Sequence, residues 1–265
     1  MNHAQPRSLS RQRVVELLSQ AKHDCSVGSR VDVLSGHFLG YPYQPNPLIG
    51  SADTPEVFIA SLDGFDCVTY IETIVALALA AHVDDFIEWL RKIRYERGRI
   101  QWNSRNHYMT GWIRNNLLLG VIEPVSVPAV PIHIRKRLLN VVLGLIAQRT
   151  IVRCVPKPSV ARLEPHLQSG DLIFFASTRR SLDVFHTGII ARDGGRVLMR
   201  HASRSQGRVV EQELSDFLKV NRMAGVIVVR PHEVHQALPS ANRISTNKRI
   251  PSSQARSGAR RLGGK

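Results

Sequence analysis

The chain has 265 residues, of which 43% are hydrophobic, and a formal net charge of +15. That length can bury one sizeable core, so we expect one domain with tails. Three cysteines, Cys25, Cys67 and Cys154, are too few for a disulfide framework, although a Cys25–Cys154 pair stays open. The longest apolar run, residues 73–81, is too short to cross a bilayer, so no membrane span is expected.

Much of the positive charge lies at the C-terminus. Residues 236–265 contain seven Lys or Arg, no Asp or Glu and almost no large apolar residue, which predicts a basic disordered tail. The rest of the chain has a net charge of about +8. A body that basic favours anionic partners, among them nucleic acid, acidic lipid and the anionic glycopeptides of a cell wall, and the tail is expected to contact polyanions.

The N-terminus shows no secretory signal. Residues 1–10 are polar, and Arg11 and Arg13 introduce an amphipathic helix instead of an apolar signal core. We therefore expect a cytoplasmic protein, with delivery to the periplasm or to a target cell by a secretion apparatus as the alternative.

The first half of the sequence is predicted to be mainly helical. Apolar spacing and capping residues indicate three helices, over residues 10–22, over 67–81, and after a cap at Asp84 or Asp85. Glycines and prolines predict turns over residues 28–54. A short apolar stretch predicts a strand over residues 57–62.

The second half is predicted to change from helix to sheet. Apolar residues at helical spacing indicate a helix with a basic face over residues 134–145. Four strand-like runs follow, at residues 172–175, 184–191, 197–202 and 226–230, with a turn at Gly194 and Gly195. Helices followed by an antiparallel sheet predict an α+β fold.

Cys67 is the candidate nucleophile, because a turn rich in Gly and Asp delivers it onto the first turn of an apolar helix. Unpaired N–H groups and the helix dipole favour a charged sulfur there, so we expect a lowered pKa and raised reactivity. The alternative is a buried structural thiol. Asp66, directly before it, can cap the helix or repel the thiolate.

Two downstream histidines, His186 and His201, lie in strand-like sequence. A cysteine at a helix start and a histidine on a neighbouring strand can act as nucleophile and base. His201 can face His186 across the predicted hairpin, which fits a group that fixes the tautomer of the base. A lone histidine on a strand is, however, more often a satisfied core or edge residue.

Arg105, Asn106 and His107 lie in a polar and aromatic segment that fits a substrate-facing surface better than a core. His107 could form a metal site with the two later histidines. No acidic or thiol ligand stands at helical or strand spacing to it, so we expect no metal and no cofactor.

Four short motifs stand in order along the chain, at Leu39–Tyr43, Gly64–Cys67, Gly170–Phe175 and His186–Ile190. Together they resemble the motifs of the NlpC/P60 papain-like cell-wall hydrolases. A narrower likeness, to the N-acetylmuramoyl-L-alanine amidase-like branch known as DUF1460, rests on Asp66–Glu72, Ser104–Tyr108, Leu182–Gly188 and Arg200–Ser203. The match covers roughly Phe38 to Pro231, and several motifs in the family's order are a strong signal.

The resemblance implies a papain-like α+β fold with Cys67 as nucleophile, His186 as base and His201 as the orienting third residue. It also implies that Tyr43 lies near the oxyanion. Asp66 is expected, with Arg105, Asn106 and His107, among the oxyanion and substrate-binding residues. The implied substrate is a peptidoglycan fragment, cut between the lactyl group of N-acetylmuramic acid and L-alanine. The acidic stem peptide suits the guanidinium of Arg105.

The expected domain organisation is an N-terminal helix and linker over residues 1–37, a catalytic domain over 38–235 and the basic tail over 236–265. Three other functions stay open. One is an endopeptidase that cuts between D-glutamate and the diamino acid of the stem peptide. Another is an acyltransferase of the same fold, and the last is a basic nucleic-acid-binding protein, although the tail lacks interleaved aromatic residues.

Overall fold

The computed structural model describes residues 9–21 and 26–234. Seven α-helices lie in these ranges: α1 Arg11–Gln20, α2 Val27–His37, α3 Cys67–Leu79, α4 Val83–Arg94, α5 Met109–Leu119, α6 Val160–Leu163 and α7 Leu214–Val220. Single 3-10 turns occur at Glu96–Gly98, Trp102–Ser104, Lys157–Ser159 and Glu164–His166. The first five helices precede the sheet, so the N-terminal half is helical.

The sheet is antiparallel and has eight strands in the described part of the chain. These are β1 Ile122–Pro124, β2 His133–Leu139, β3 Gln148–Pro156, β4 Leu172–Ala176, β5 Val184–Asp193, β6 Arg196–Ser203, β7 Arg208–Glu213 and β8 Gly225–Pro231. Their order is β2-β3-β8-β4-β5-β6-β7, and β1 pairs with β8. The predicted α+β class and the four predicted strands of the second half are confirmed.

Helix α3 is the central helix and packs on α2, α4, β5 and β6. Its residues from Thr69 to Ala78 are buried, which explains the long apolar run in the sequence. The buried Glu72 pairs with Arg94 of α4 at 2.7 Å, so the charge inside this apolar layer is compensated. This packing fixes the N-terminal end of α3 against the middle of the sheet.

A close backbone contact holds α2 against the turn before β4. Gly170 has φ +91°, and a Cβ there would lie 2.2 Å from the Gly28 carbonyl oxygen. Only glycine fits both the backbone angle and the space. The adjacent Asp171 accepts two hydrogen bonds from Arg230 of β8, at 2.7 and 2.9 Å, and so ties this turn to the sheet.

Several local predictions were wrong. Turns were expected over residues 28–54, but residues 27–37 form α2, which Ser26 caps and whose apolar face is buried despite two glycines. The helix expected over 134–145 is replaced by β2, because pairing with β3 overrides the helical spacing. The strand expected over 57–62 is only an isolated bridge at Val57. Helix α4 begins after His82, not after either aspartate.

The helices over 10–22 and 67–81 are confirmed as α1 and α3. No helix in the described ranges is long and apolar enough to span a bilayer. Cys25 and the basic tail over 236–265 lie outside the described residues.

Candidate active site

Cys67 is the first residue of α3, as predicted, and Asp66 is its N-cap. The Asp66 carboxylate accepts hydrogen bonds from the backbone N–H groups of Val68 at 3.0 Å and Thr69 at 2.7 Å. The Asp66 N–H in turn donates to the Thr69 hydroxyl at 3.0 Å, which completes a capping box. Within the described residues, the Cys67 N–H donates to no backbone or side-chain oxygen.

The thiol of Cys67 lies against β5. The backbone N–H of Thr187, together with those of Cys67 and Val68, interacts with the sulfur and favours its charged form. Thr187 is itself held in the sheet by a hydrogen bond from its hydroxyl to the Ile173 carbonyl oxygen at 2.8 Å. Cys67 is therefore next to the strand segment that carries His186.

His186 and His201 contact each other directly. Nε2 of His186 lies 2.7 Å from Nδ1 of His201, and the two rings are nearly perpendicular at 89°. The sequence predicted this pairing across the hairpin of β5 and β6. His201 is buried, and its Nε2 has no hydrogen-bond partner among the described residues.

The expected low pKa of Cys67 is wrong. Burial, and then the charge of Asp66, raise its pKa to about 12, and they outweigh the three backbone N–H groups that lower it. Burial and the neighbouring His201 lower the pKa of His186 to about 3, and burial lowers that of His201 to about 4. All three shifts favour the neutral thiol and the neutral imidazoles over a thiolate and an imidazolium.

A cavity of about 630 Å³ opens beside the two histidines. Its other described lining residues are Phe185, Ser203, Arg204, Ser205, Gln206, Gln212, Phe217, Val220 and Asn221. Hydroxyl, amide and guanidinium groups thus face the space next to the imidazoles. Such a lining can bind a polar ligand that carries negative charge.

Tyr43 lies close to Cys67, because its loop pairs with the turn before α3. The Phe65 N–H donates to the Pro42 carbonyl oxygen at 3.1 Å, and a Cβ on Gly64 would lie 2.9 Å from that oxygen. Glycine at position 64 permits this approach. Burial, and then the charge of Asp66, raise the pKa of Tyr43, so its hydroxyl keeps its proton and can donate.

Arg105, Asn106 and His107 line another cavity, of about 420 Å³. Arg105 pairs with Glu56 at 3.0 Å, and its guanidinium carbon lies 4.5 Å from the centre of the Trp102 ring. His107 Nε2 lies 2.7 Å from the Trp102 carbonyl oxygen, and burial lowers its pKa to about 4. These contacts hold the segment in place, and its role in substrate binding stays a prediction.

Two residues support the site from other elements: Asp183, which lies in the Leu182–Gly188 motif, and Phe217, which the sequence analysis missed. Asp183 is buried and accepts hydrogen bonds from the Thr110 N–H and hydroxyl, at 2.7 and 2.8 Å, which ties the start of β5 to α5. Phe217 of α7 stacks on His186, with ring centroids 5.4 Å apart. Phe217 has no local sequence signal, since its contact joins distant elements. Among the described residues, no group of three or more His, Cys, Asp or Glu could hold a metal.

The sequence profile of one family, AmiA-like (N-acetylmuramoyl-L-alanine amidase-like), matches residues 33–226. The chain belongs to the AmiA-like family. At the level of that family the protein is a peptidoglycan amidase, and thus a hydrolase. The matched range includes Cys67, His186 and His201. No significant match is found among curated proteins.

Solved structures resemble this AmiA-like protein over most of their length. A DUF1460 protein of Legionella pneumophila is 19% identical with a TM-score of 0.72, over 84% of this chain and 94% of that one, and shows the fold alone. An N-acetylmuramoyl-L-alanine amidase of Bacteroides uniformis is 26% identical with a TM-score of 0.65, and the match covers 75% of this chain and 97% of that one. A Bacteroides fragilis protein, provisionally assigned to the xylanases, is 29% identical with a TM-score of 0.65. The match covers 74% of this chain and 98% of that one.

Proposed function

We propose that this AmiA-like protein is a cysteine amidase that cuts the amide between the lactyl group of N-acetylmuramic acid and L-alanine in peptidoglycan fragments. The observation that carries the proposal is the 2.7 Å contact between His186 and His201 on strands beside the Cys67 thiol. The order of motifs, which resembles that of NlpC/P60 hydrolases with a papain-like fold, supports the same assignment.

In the proposed mechanism His186 is the base. Because its Nε2 faces His201, Nδ1 is the nitrogen left to take the thiol proton. The pKa values of about 12 for Cys67 and about 3 for His186 make a resting ion pair unfavourable. The proton therefore moves as the sulfur attacks the amide carbon, in general-base catalysis.

The N-terminus of α3 is the proposed oxyanion site. The Cys67 N–H can donate to the developing oxyanion, and the Tyr43 hydroxyl is the second donor. The protonated His186 then gives its proton to the departing amine of L-alanine. Water attacks the resulting thioester, releases the lactyl acid and restores the thiol.

Other chemistries have less support. A glycosidase acting by the usual mechanism needs two carboxylic acids beside the scissile bond, and none of the described residues lining the cavity by His186 is Asp or Glu. An endopeptidase of the stem peptide and an acyltransferase would use the same three residues. They are separated from the amidase by their products.

Digestion of defined muropeptides by the full chain tests the proposal. Mass spectrometry should find a free lactyl acid on the sugar and a free L-alanine amine on the peptide. A free diamino-acid amine would instead identify an endopeptidase, and transfer to an added amine an acyltransferase.

Two variants make the test specific for the nucleophile. Cys67→Ser should abolish hydrolysis while the thermal unfolding temperature is retained, because His186 is not placed to activate a less acidic hydroxyl. Cys154→Ser, a change of the buried thiol on β3, is the matched control and should stay active. Substantial activity of Cys67→Ser would refute the mechanism, as would inhibition by a chelator that zinc reverses.

A further inference from the structure

The β2–β3 hairpin lies at one edge of the sheet, and one of its faces is uncovered in the described structure. Cross-strand pairs place Ile134 opposite Arg153, Lys136 opposite Ile151, and Leu138 opposite Arg149. All six side chains are exposed, whereas Arg137, Leu139, Val152 and Cys154 on the other face are buried. Each pair on the open face thus combines one aliphatic side chain with one cation.

The open face carries no compensating negative charge of its own. Residues 124–163 contain seven Lys or Arg and no Asp or Glu. Lys136, Arg149 and Arg153 make no ion pair with a described carboxylate. The hairpin therefore presents a surface that is both cationic and apolar.

The loop between the two strands extends this pattern. Leu143 is 88% exposed and Ile146 is 92% exposed, more than any other large apolar side chain in the described ranges. The loop backbone is nevertheless fixed, because the N–H groups of Val141 and Val142 donate to the Tyr108 hydroxyl at 3.1 and 3.2 Å. The two aliphatic side chains are thus held in water by an ordered turn.

We propose that this hairpin docks the protein on a membrane surface rich in anionic lipid. Leu143 and Ile146 would enter the boundary between headgroups and acyl chains, while Lys136, Arg149 and Arg153 would meet the lipid phosphates. The contact is interfacial and needs no spanning helix. It leaves the residues of the proposed catalytic site on other elements of the fold.

The chemistry of the surface favours lipid over nucleic acid. Binding of single strands relies on aromatic side chains on which bases stack, and residues 133–153 contain no Phe, Tyr or Trp. A phosphate backbone would also leave Leu143 and Ile146 in water, with no gain from their burial. An anionic bilayer satisfies both the cations and the aliphatic side chains.

Sedimentation of the full chain with vesicles tests the proposal. Binding is expected to mixed phosphatidylglycerol and phosphatidylcholine and to be weak on phosphatidylcholine alone. Lys136→Gln with Arg149→Gln should weaken binding roughly 30-fold, since each surface cation contributes about a fivefold factor. Arg99→Gln with Arg222→Gln removes two exposed cations elsewhere and is the matched control. If the basic tail alone bound lipid, both pairs would behave alike and the proposal would fail.

A second measurement locates the inserted residue. Leu143→Trp should show a blue-shifted emission on anionic vesicles and quenching by brominated lipid. Leu118→Trp, at a site 81% exposed on α5, should show neither. Absence of the shift at position 143 would overturn the proposal.

Discussion

The ring of Phe217 stacks on the imidazole of His186, with centroids 5.4 Å apart and planes inclined by 24°. Phe175 stacks on the same imidazole at 6.2 Å and packs against Phe217 at 4.5 Å. A pair of phenyl rings therefore covers one side of the proposed base, which also borders the cavity. This burial is the main reason why the pKa of His186 falls to about 3.

The acid limb of the pH–rate profile should therefore lie far below the ordinary histidine value of 6.5. The pKa values of the two histidines are about 3 and about 4, so the pair gains its first proton near pH 4. The base is then lost. We expect kcat/KM on a soluble muropeptide to stay constant from pH 7 to about 5 and to fall near 4. An acid limb close to 6.5 would contradict the buried pair.

Phe217→Ala should raise the pKa of His186 towards 6.5, because water then reaches the ring. The acid limb of kcat/KM should move up with it. Phe217→Leu, which keeps an apolar side chain, should move the acid limb less. It also serves as a second variant in case Phe217→Ala does not fold. Phe58→Ala is the control, since the Phe58 ring contacts Tyr95, with centroids 6.3 Å apart, instead of a histidine. An acid limb that does not move in Phe217→Ala would show that another element excludes the water.

The sequence predicted the parts of the site that depend on local signals. Asp66 before an apolar run marks the start of α3, and strand-like sequence around a Gly-Gly turn places His201 opposite His186. These features follow from capping and from the two-residue period of strands. The order of helical segments before strands predicted the α+β class in the same way.

Contacts between distant elements could not be predicted. The expected low pKa of Cys67 considered the helix dipole alone, whereas β5 and its neighbours bury the thiol and reverse the shift. Phe217 reaches His186 only because α7 packs on β6 and β7. The β2 segment has helical spacing, but a partner strand decides its conformation. Each error arises where tertiary packing outweighs local preference.

Alkylation of Cys67 tests the corrected pKa. Because the pKa of Cys67 is about 12, its thiolate fraction at pH 7 is about 1000-fold lower than that of a thiol whose pKa is 9. Its reaction with iodoacetamide, followed by peptide mass spectrometry, should accelerate about tenfold per pH unit beyond pH 9 without a plateau. In protein unfolded by urea, the alkylation rate of Cys67 should level off as the pH passes the ordinary pKa of a thiol. A plateau near neutral pH in the folded protein would indicate a resting thiolate–imidazolium pair.

The orienting role of His201 predicts a graded loss of activity. His201→Ala should lower kcat less than His186→Ala, because the base remains and only its tautomer and angle are released. His201→Asn or His201→Gln should recover part of the loss, since an amide can still hydrogen-bond the imidazole. Equal loss in all three His201 variants, with unchanged thermal unfolding, would show that the hydrogen bond has no positioning role.

Stability at low pH should depend on the same residue. The pKa of His201 is about 4 in the folded protein and about 6.5 when unfolded, so only the unfolded chain gains a proton between these values. The stabilising contribution of the neutral ring is thus complete above pH 6.5 and is lost as the pH falls towards 4. This loss amounts to on the order of 3 kcal/mol in the free energy of unfolding. His201→Asn lacks the titrating ring, so urea unfolding at pH 7 and pH 4 should show a smaller decrease for this variant than for the wild type. An equal decrease in both proteins would mean that the His201 ring is accessible to protons in the folded state.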